Sequence, residues 1–248
     1  MTSLTPFIIE NPELSEETNI DGLNILGGFT FKECIFSLYI PSYKKIWSNP
    51  DAVLSSLERK FNFKNNSNVV NIVKHFYLGD DTDRKSNKYK IVDFLSDFDF
   101  VYPIQRQFNK YAKHRNTNVY LYMFSYEGHL NRVRRLYNIT DAGATHSDEL
   151  GYIFTVDIVP DIPNINDQRM IDQMSTLWTN FIKYGNPTPN RTELLPVSWP
   201  PLTADAVPCL QIDTNLTVIS RPFRRNIAFW DLFYDAHLDK LKMLSEGR

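Results

Sequence analysis

Apolar residues recur along this chain in two rhythms. Over 167–184, Met170, Ile171, Met174, Leu177, Trp178, Phe181 and Ile182 fall three and four apart, which puts them on one face of an α-helix. Gly185 stops that helix, and Pro187 and Pro189 prevent a restart. The same spacing predicts a helix over 51–63 through Val53, Leu54, Leu57 and Phe61, and another over 68–78 through Val69, Val73 and Phe76. The polar run 79–87 reads as a linker between helices. Two further helices are predicted over 88–97 and 100–114, broken near 97–99, with Pro103 tolerated in the first turn of the second. A last amphipathic helix, 224–243, contains the aromatic run Phe229, Trp230, Phe233 and Tyr234.

The second rhythm is that of strands. Residues 119–126, VYLYMFSY, are rich in the aromatic and β-branched side chains that suit a sheet. Residues 6–10 read as a short extended segment. The run 23–27, LNILG, reads as a strand end closed by a turn at Gly27-Gly28, and 210–212 with 217–219 as a terminal hairpin. No internal repeat and no low-complexity tail interrupts this order.

Composition narrows the class. A 248-residue chain can bury a sizeable core, and 42% hydrophobic with 23% charged residues is ordinary for a globular protein. A formal net charge of −2 leaves no footprint for nucleic acid or an anionic surface. No apolar run is long enough to span a membrane, and the acidic first residues lack the plan of a signal peptide. Two cysteines, Cys34 and Cys209, build neither a disulfide framework nor a cysteine metal site, and Cys34 is expected to be a free thiol. The acidic residues of the 79–87 linker lack the ligand spacing of a calcium loop, so no metal or cofactor is expected. Asn65, Asn138, Asn190 and Asn215 each begin an N-x-S/T triplet and are glycosylation candidates should the protein be secreted. Secretion would need a signal before Met1; otherwise the expected location is the cytoplasm.

Candidate chemistry gathers around His146. It lies in GATHSDELGYIF, a small-residue loop that follows the 119–126 strand and precedes an acidic turn. Such a histidine is well placed to move protons, although taken by itself it reads better as an exposed loop residue. His75 and His129 read as helix and surface residues, and Arg132, Arg134 and Arg135 as a solvated helix face. Asp148 and Glu149 are expected to open the helix after the loop, where carboxylates favour the positive end of its dipole.

GATHSDELGYIF resembles the histidine loop of type B carboxylesterases, especially the insect alpha-esterases, where Gly-Ala-x-His-x-Asp-Glu/Asp-Leu-x-Tyr-x-Phe carries the catalytic base. Glu33, in GFTFKEC, resembles the acid of that family's Gly-x-x-x-x-Glu-Gly loop, which orients the histidine. Cys34 stands where the family has glycine, and would strain the loop if that glycine takes a positive φ. NFIKYGNPTPN, with Trp178 before it and SWPP after it, resembles the family's structural Trp-x-Asn-Phe-x-x-x-Gly-Asn-Pro signature. Ser96-Asp97 before Phe98 also matches, which would bring Phe100 or Tyr102 toward substrate if they are not plain core residues.

The resemblance implies an α/β fold, the C-terminal part of an α/β hydrolase with a doubly wound sheet and covering helices. It implies that residues 1–248 are the C-terminal portion of a carboxylesterase domain, with the nucleophile on a segment before Met1. No Gly-x-Ser-x-Gly occurs in the chain, and Ser37, Ser42, Ser125 and Ser147 lack the glycine frame. The implied reaction is hydrolysis of a small-molecule carboxylic ester through an acyl-enzyme, with Glu33 as acid and His146 as base. The alternatives are a non-catalytic relative used for adhesion or binding, and a stand-alone α/β domain in which both residues are structural. Which ester is cleaved, and the oligomeric state, are not encoded in these motifs.

Overall fold

A computed structural model describes residues 20–43, 52–63, 67–79, 84–155 and 162–241. The predicted segment 6–10 and the candidate Asn65 lie outside the described residues. The frame is a four-stranded mixed sheet in the order β1 (Asn24–Thr30), β2 (Asn118–Phe124), β3 (Pro208–Ile212), β4 (Thr217–Ser220). β1, β2 and β3 run parallel, with Gly28 opposite Tyr122 and Leu121 opposite Cys209, and β4 returns antiparallel to β3 as the expected hairpin.

Parallel neighbours need long crossovers, and helices fill them. Between β1 and β2 come α1 (Ala52–Lys60), α2 (Ser67–Leu78), α3 (Arg84–Ser96) and α4 (Tyr102–Tyr111). Between β2 and β3 come the short α5 (Arg132–Leu136) and the long α6 (Ile165–Tyr184), and α7 (Arg224–Ala236) closes the order. The sheet is covered on both faces, so β2 reads as one continuous apolar run. Its alternate residues go to opposite cores. Val119, Leu121 and Met123 join the cluster built with α1 to α4 and α7, centred on Phe94, Phe98 and Trp230. Tyr120, Tyr122 and Phe124 join Met170, Met174 and Leu177 of α6 and Trp199 on the other side.

Several expectations are corrected by tertiary packing. Gly27-Gly28 is not a turn; both glycines lie inside β1. A Cβ on Gly28 would sit 2.2 Å from the Tyr122 carbonyl oxygen, and one on Gly27 would sit 2.8 Å from the Phe108 ring. These positions need glycine because neighbours press on them, not because the chain bends. The break near 97–99 is instead a π-helical turn, Asp97–Val101, that carries α3 into α4 without leaving the helical path. Pro103 follows in the first turn of α4, where a missing N–H costs least because the regular ladder is already interrupted. Asp97 does not mark a loop: it is buried, and its Oδ2 accepts from the Tyr77 hydroxyl at 2.7 Å and the Asn226 amide at 2.5 Å.

The polar linker is shorter than expected, since residues from Arg84 onward already belong to α3. The last helix is shorter too, ending at Ala236 before a 3-10 turn, Leu238–Lys240. In α6 the apolar stripe holds for Met170, Met174 and Leu177, whereas Ile182 is 80% exposed. That helix starts two residues earlier than read, capped by Asn164, whose side chain accepts from the N–H groups of Asn166 and Asp167. Gly185 ends it with φ +64°, the left-handed conformation that glycine adopts without a steric penalty.

Candidate active site

The ends of β1 and β2 bring two distant loops together. The chain leaves β1 at Thr30 and turns at once, through Glu33, into a 3-10 turn, Ile35–Leu38. Phe31 N–H donates to Phe124 O at the end of β2, and Lys32 N–H donates to Ala144 O in the histidine loop, so the strand pairing extends into both loops. Carboxyl ends of parallel strands are where open α/β sheets present their sites.

Glu33 and His146 meet there. Glu33 Oε2 lies 2.9 Å from His146 Nδ1, and Glu33 Oε1 accepts the Thr30 N–H at 2.7 Å. The two side chains differ in burial: Glu33 is 4% exposed and His146 is 48% exposed. With Nδ1–H donated to the carboxylate, the neutral ring keeps its lone pair on Nε2, the nitrogen left to take a proton. The hydrogen bond to Glu33 raises the histidine's pKa above the ordinary 6.5, against a smaller lowering by burial. Phe100 and Phe36 stand against the imidazole, with ring centroids 4.9 and 6.2 Å from it. Tyr102 belongs wholly to the core, so of the two aromatic candidates only Phe100 reaches the histidine.

The loops are held by backbone bonding. His146 N–H donates to Glu33 O at 3.1 Å, and the Thr145 hydroxyl donates to the same carbonyl at 3.0 Å. Cys34 N–H donates to Ser96 Oγ at 3.0 Å, and Ser96 in turn donates to Val92 O. Cys34 has φ −96°, an ordinary conformation, so the strain anticipated for a cysteine in place of glycine does not arise. Cys34 and Cys209 are both buried free thiols, and burial pushes both up in pKa. Ser147, between His146 and Asp148, takes a left-handed φ of +65°.

The Asp148 carboxylate bonds outside its own 3-10 turn. Its Oδ1 accepts the N–H groups of Val133 and Arg134 at 2.9 Å, covering the first turn of α5, and its Oδ2 accepts from Thr145 N and Asn131 Nδ2. Asp148 and Glu149 do stand in the first turn of the element that follows, the 3-10 turn Asp148–Tyr152, as expected, while the Asp148 carboxylate is bonded to a helix nearby in space. Arg134 is also no solvated side chain. It holds the carbonyls of Asp141 and Gly143 and pairs with Glu127 at 3.2 Å, which buttresses the histidine loop from behind. His75 and His129 are exposed, as are the triplet residues Asn138, Asn190 and Asn215.

Three contributors have roles that sequence reasoning did not assign: Thr145, which it did not single out, Ser96, read only within the Ser-Asp match, and Glu149, read only as a helix-opening carboxylate. Thr145 and Ser96 act through backbone groups far away in sequence, and nothing local announces that. Glu149 carries a buried oxygen, Oε2, without a hydrogen-bond partner among the described residues, and burial lifts its pKa to about 7. Its carboxyl lies close enough to Glu33 and His146 to be felt electrostatically by both. An acidic residue inside an otherwise apolar ELGYIF run was the available signal. Among the described residues no cluster of His, Cys, Asp and Glu could hold a metal, and no helix is long and apolar enough to cross a membrane.

Comparison with known proteins gives the same direction. A model of the carboxylesterase family matches residues 5–230. Esterase FE4 of Myzus persicae is 33% identical over 131 residues, covering 51% of this chain and 23% of that protein. Juvenile hormone esterase of Heliothis virescens is 28% identical over 226 residues, covering 81% of this chain and 36% of that protein. The crystal structure of juvenile hormone esterase from Manduca sexta, with OTFP covalently attached, superposes with a TM-score of 0.66 at 26% identity, covering 85% of this chain and 41% of that one. The chain thus spans between 23% and 36% of the length of these two curated relatives. With the family's pattern running through nearly all of its residues, on an α/β frame shared with a solved esterase, the chain belongs to the carboxylesterase family.

Proposed function

We propose that this chain supplies the acid and the base of a Ser-Glu-His carboxylic ester hydrolase, with the serine carried on a segment outside these 248 residues. The observation that carries the reading is the 2.9 Å contact between a buried Glu33 carboxylate and a half-exposed His146 imidazole at the strand ends. A hydroxyl is too weak an acid to attack an ester unaided. His146 Nε2 takes the serine proton as the oxygen adds to the substrate carbonyl carbon. Glu33 holds the ring in the required tautomer and offsets the imidazolium charge. The same proton then passes to the departing alcohol, and a water molecule, activated in the same way, cleaves the acyl-enzyme. A purely adhesive role would not call for a carboxylate buried against an imidazole. The substrate is a small-molecule carboxylic ester, and Phe100 is the side chain of this chain best placed to touch it.

Residues 1–248 are, on this reading, the C-terminal portion of a larger hydrolase domain. Support comes from β1, which pairs only with β2 among the described residues although its own end carries the acid loop. The test is His146→Gln in a protein that joins this segment to one bearing Gly-x-Ser-x-Gly. Ester turnover should fall about a thousandfold or more with KM little changed. A near-normal rate would remove His146 from the mechanism.

A further inference from the structure

The imidazole–carboxylate contact is not the only tie between the acid and base loops. Thr145 is fully buried, directly before His146, and its hydroxyl bridges Glu33 and the 3-10 turn that follows it. It donates to Glu33 O at 3.0 Å and accepts the Phe36 N–H at 3.2 Å. Its own N–H is fixed at 2.8 Å by Asp148 Oδ2, and Asp148 is anchored in turn to the first turn of α5. A rigid path therefore runs from α5 through Asp148 and Thr145 to the backbone of Glu33 and of Phe36 in the 3-10 turn that follows it. A hydroxyl is the smallest group that can donate to one residue and accept from another at once. Neither valine, of the same shape, nor alanine can do either.

We propose that Thr145 is a positioning residue for the Glu33–His146 pair: its hydroxyl sets the height of the acid loop against the base loop, and thereby the length of the bond between carboxylate and imidazole. The proposal rests on the acid and base roles assigned above. Without the hydroxyl, Phe36 N–H loses its buried acceptor and Glu33 O keeps only the His146 N–H. The acid loop is then free to withdraw from the imidazole, and misplacement by a fraction of an ångström at such a pair reduces turnover without altering how substrate binds.

The experiment uses the intact protein that carries this segment, with Thr145→Val, Thr145→Ser and His146→Gln assayed on a short-chain nitrophenyl ester across pH. Thr145→Val should lower kcat about ten- to a hundredfold, leave KM within about twofold, and move the acid limb of kcat/KM to lower pH as the support of Glu33 for the imidazolium weakens. Thr145→Ser, which restores the hydroxyl, should recover most of the rate and the original limb. If Thr145→Val does not fold, Thr145→Cys carries the test, because a thiol of similar size is a weak donor and acceptor; the same pH shift in smaller measure is expected. A folded Thr145→Val or Thr145→Cys with the parent kcat and pH limb, beside an inactive His146→Gln, overturns this inference alone. An active His146→Gln overturns the acid and base assignment beneath it.

Discussion

At the scale of single residues, the proposed chemistry turns on how Glu33 changes the proton affinity of His146. The general base must be neutral to act. Glu33 raises its pKa, so activity should disappear on acidification through a limb lying above the ordinary 6.5. Glu33→Gln replaces the carboxylate with an amide that cannot offset an imidazolium. In the intact protein the limb should move to lower pH while the plateau of kcat falls about a hundredfold or more, read from a pH–rate profile. An unchanged limb would show that another group sets it. A second expectation separates the two strand glycines. Gly28→Ala drives a Cβ against backbone at the Tyr122 carbonyl, whereas Gly27→Ala meets only the edge of the Phe108 ring. Gly28→Ala should cost about 2–3 kcal/mol in a denaturation experiment and Gly27→Ala less, because a side chain yields and a carbonyl does not. The pair also shows where sequence reading runs out. Adjacent glycines signal either a bend or a close neighbour, and the neighbours here, Tyr122 and Phe108, come from elements far along the chain. His146 and Glu33 were legible because each sits in a patterned loop; Thr145 and Ser96 were not, because their partners are backbone atoms of another segment.

At the scale of elements, α6 is the helix most fully written into the sequence. Its apolar spacing, its glycine stop and its prolines agree, and the structure differs only at the first turn and at Ile182. The cap explains the early start. Asn164 accepts two otherwise orphaned N–H groups, so Asn164→Ala should lower stability by about 1 kcal/mol while Asn164→Asp retains it, as measured by the denaturation midpoint. Equal stability of the alanine variant would mean that packing of Met170, Met174 and Leu177 alone fixes the helix start. The α3–α4 region was harder to read. Asp97 and Asp99 suggest a loop by composition, but Asp97 is satisfied from two other helices and the chain continues through a π-helical turn. A local rule prices a polar residue against water; it has no access to the Tyr77 hydroxyl and Asn226 amide that replace water here.

At the scale of the whole molecule, the sheet and the site lead to one conclusion. β1 carries the acid loop at its end and is paired on one side only among the described residues. An uncovered parallel edge is prone to aggregation. Apolar area left in water costs roughly 25 cal/mol per Å², so a few hundred Å² would offset most of a typical domain stability of about 5–15 kcal/mol. The alternation along β2 made a sheet covered on both faces recoverable only once its partners were known, since an unbroken apolar run fits a buried strand and a buried helix segment alike. The most direct measurement is turnover of a short-chain nitrophenyl ester by Met1–Arg248 made alone, with and without His146→Gln, after gel filtration. On the proposed reading these residues hold an acid and a base but no nucleophile and cannot form an acyl-enzyme, so the expected result is no hydrolysis above background and little folded monomer. A soluble, cooperatively melting monomer that hydrolyses the ester, and loses that activity on His146→Gln, would place the nucleophile within these residues and contradict the account.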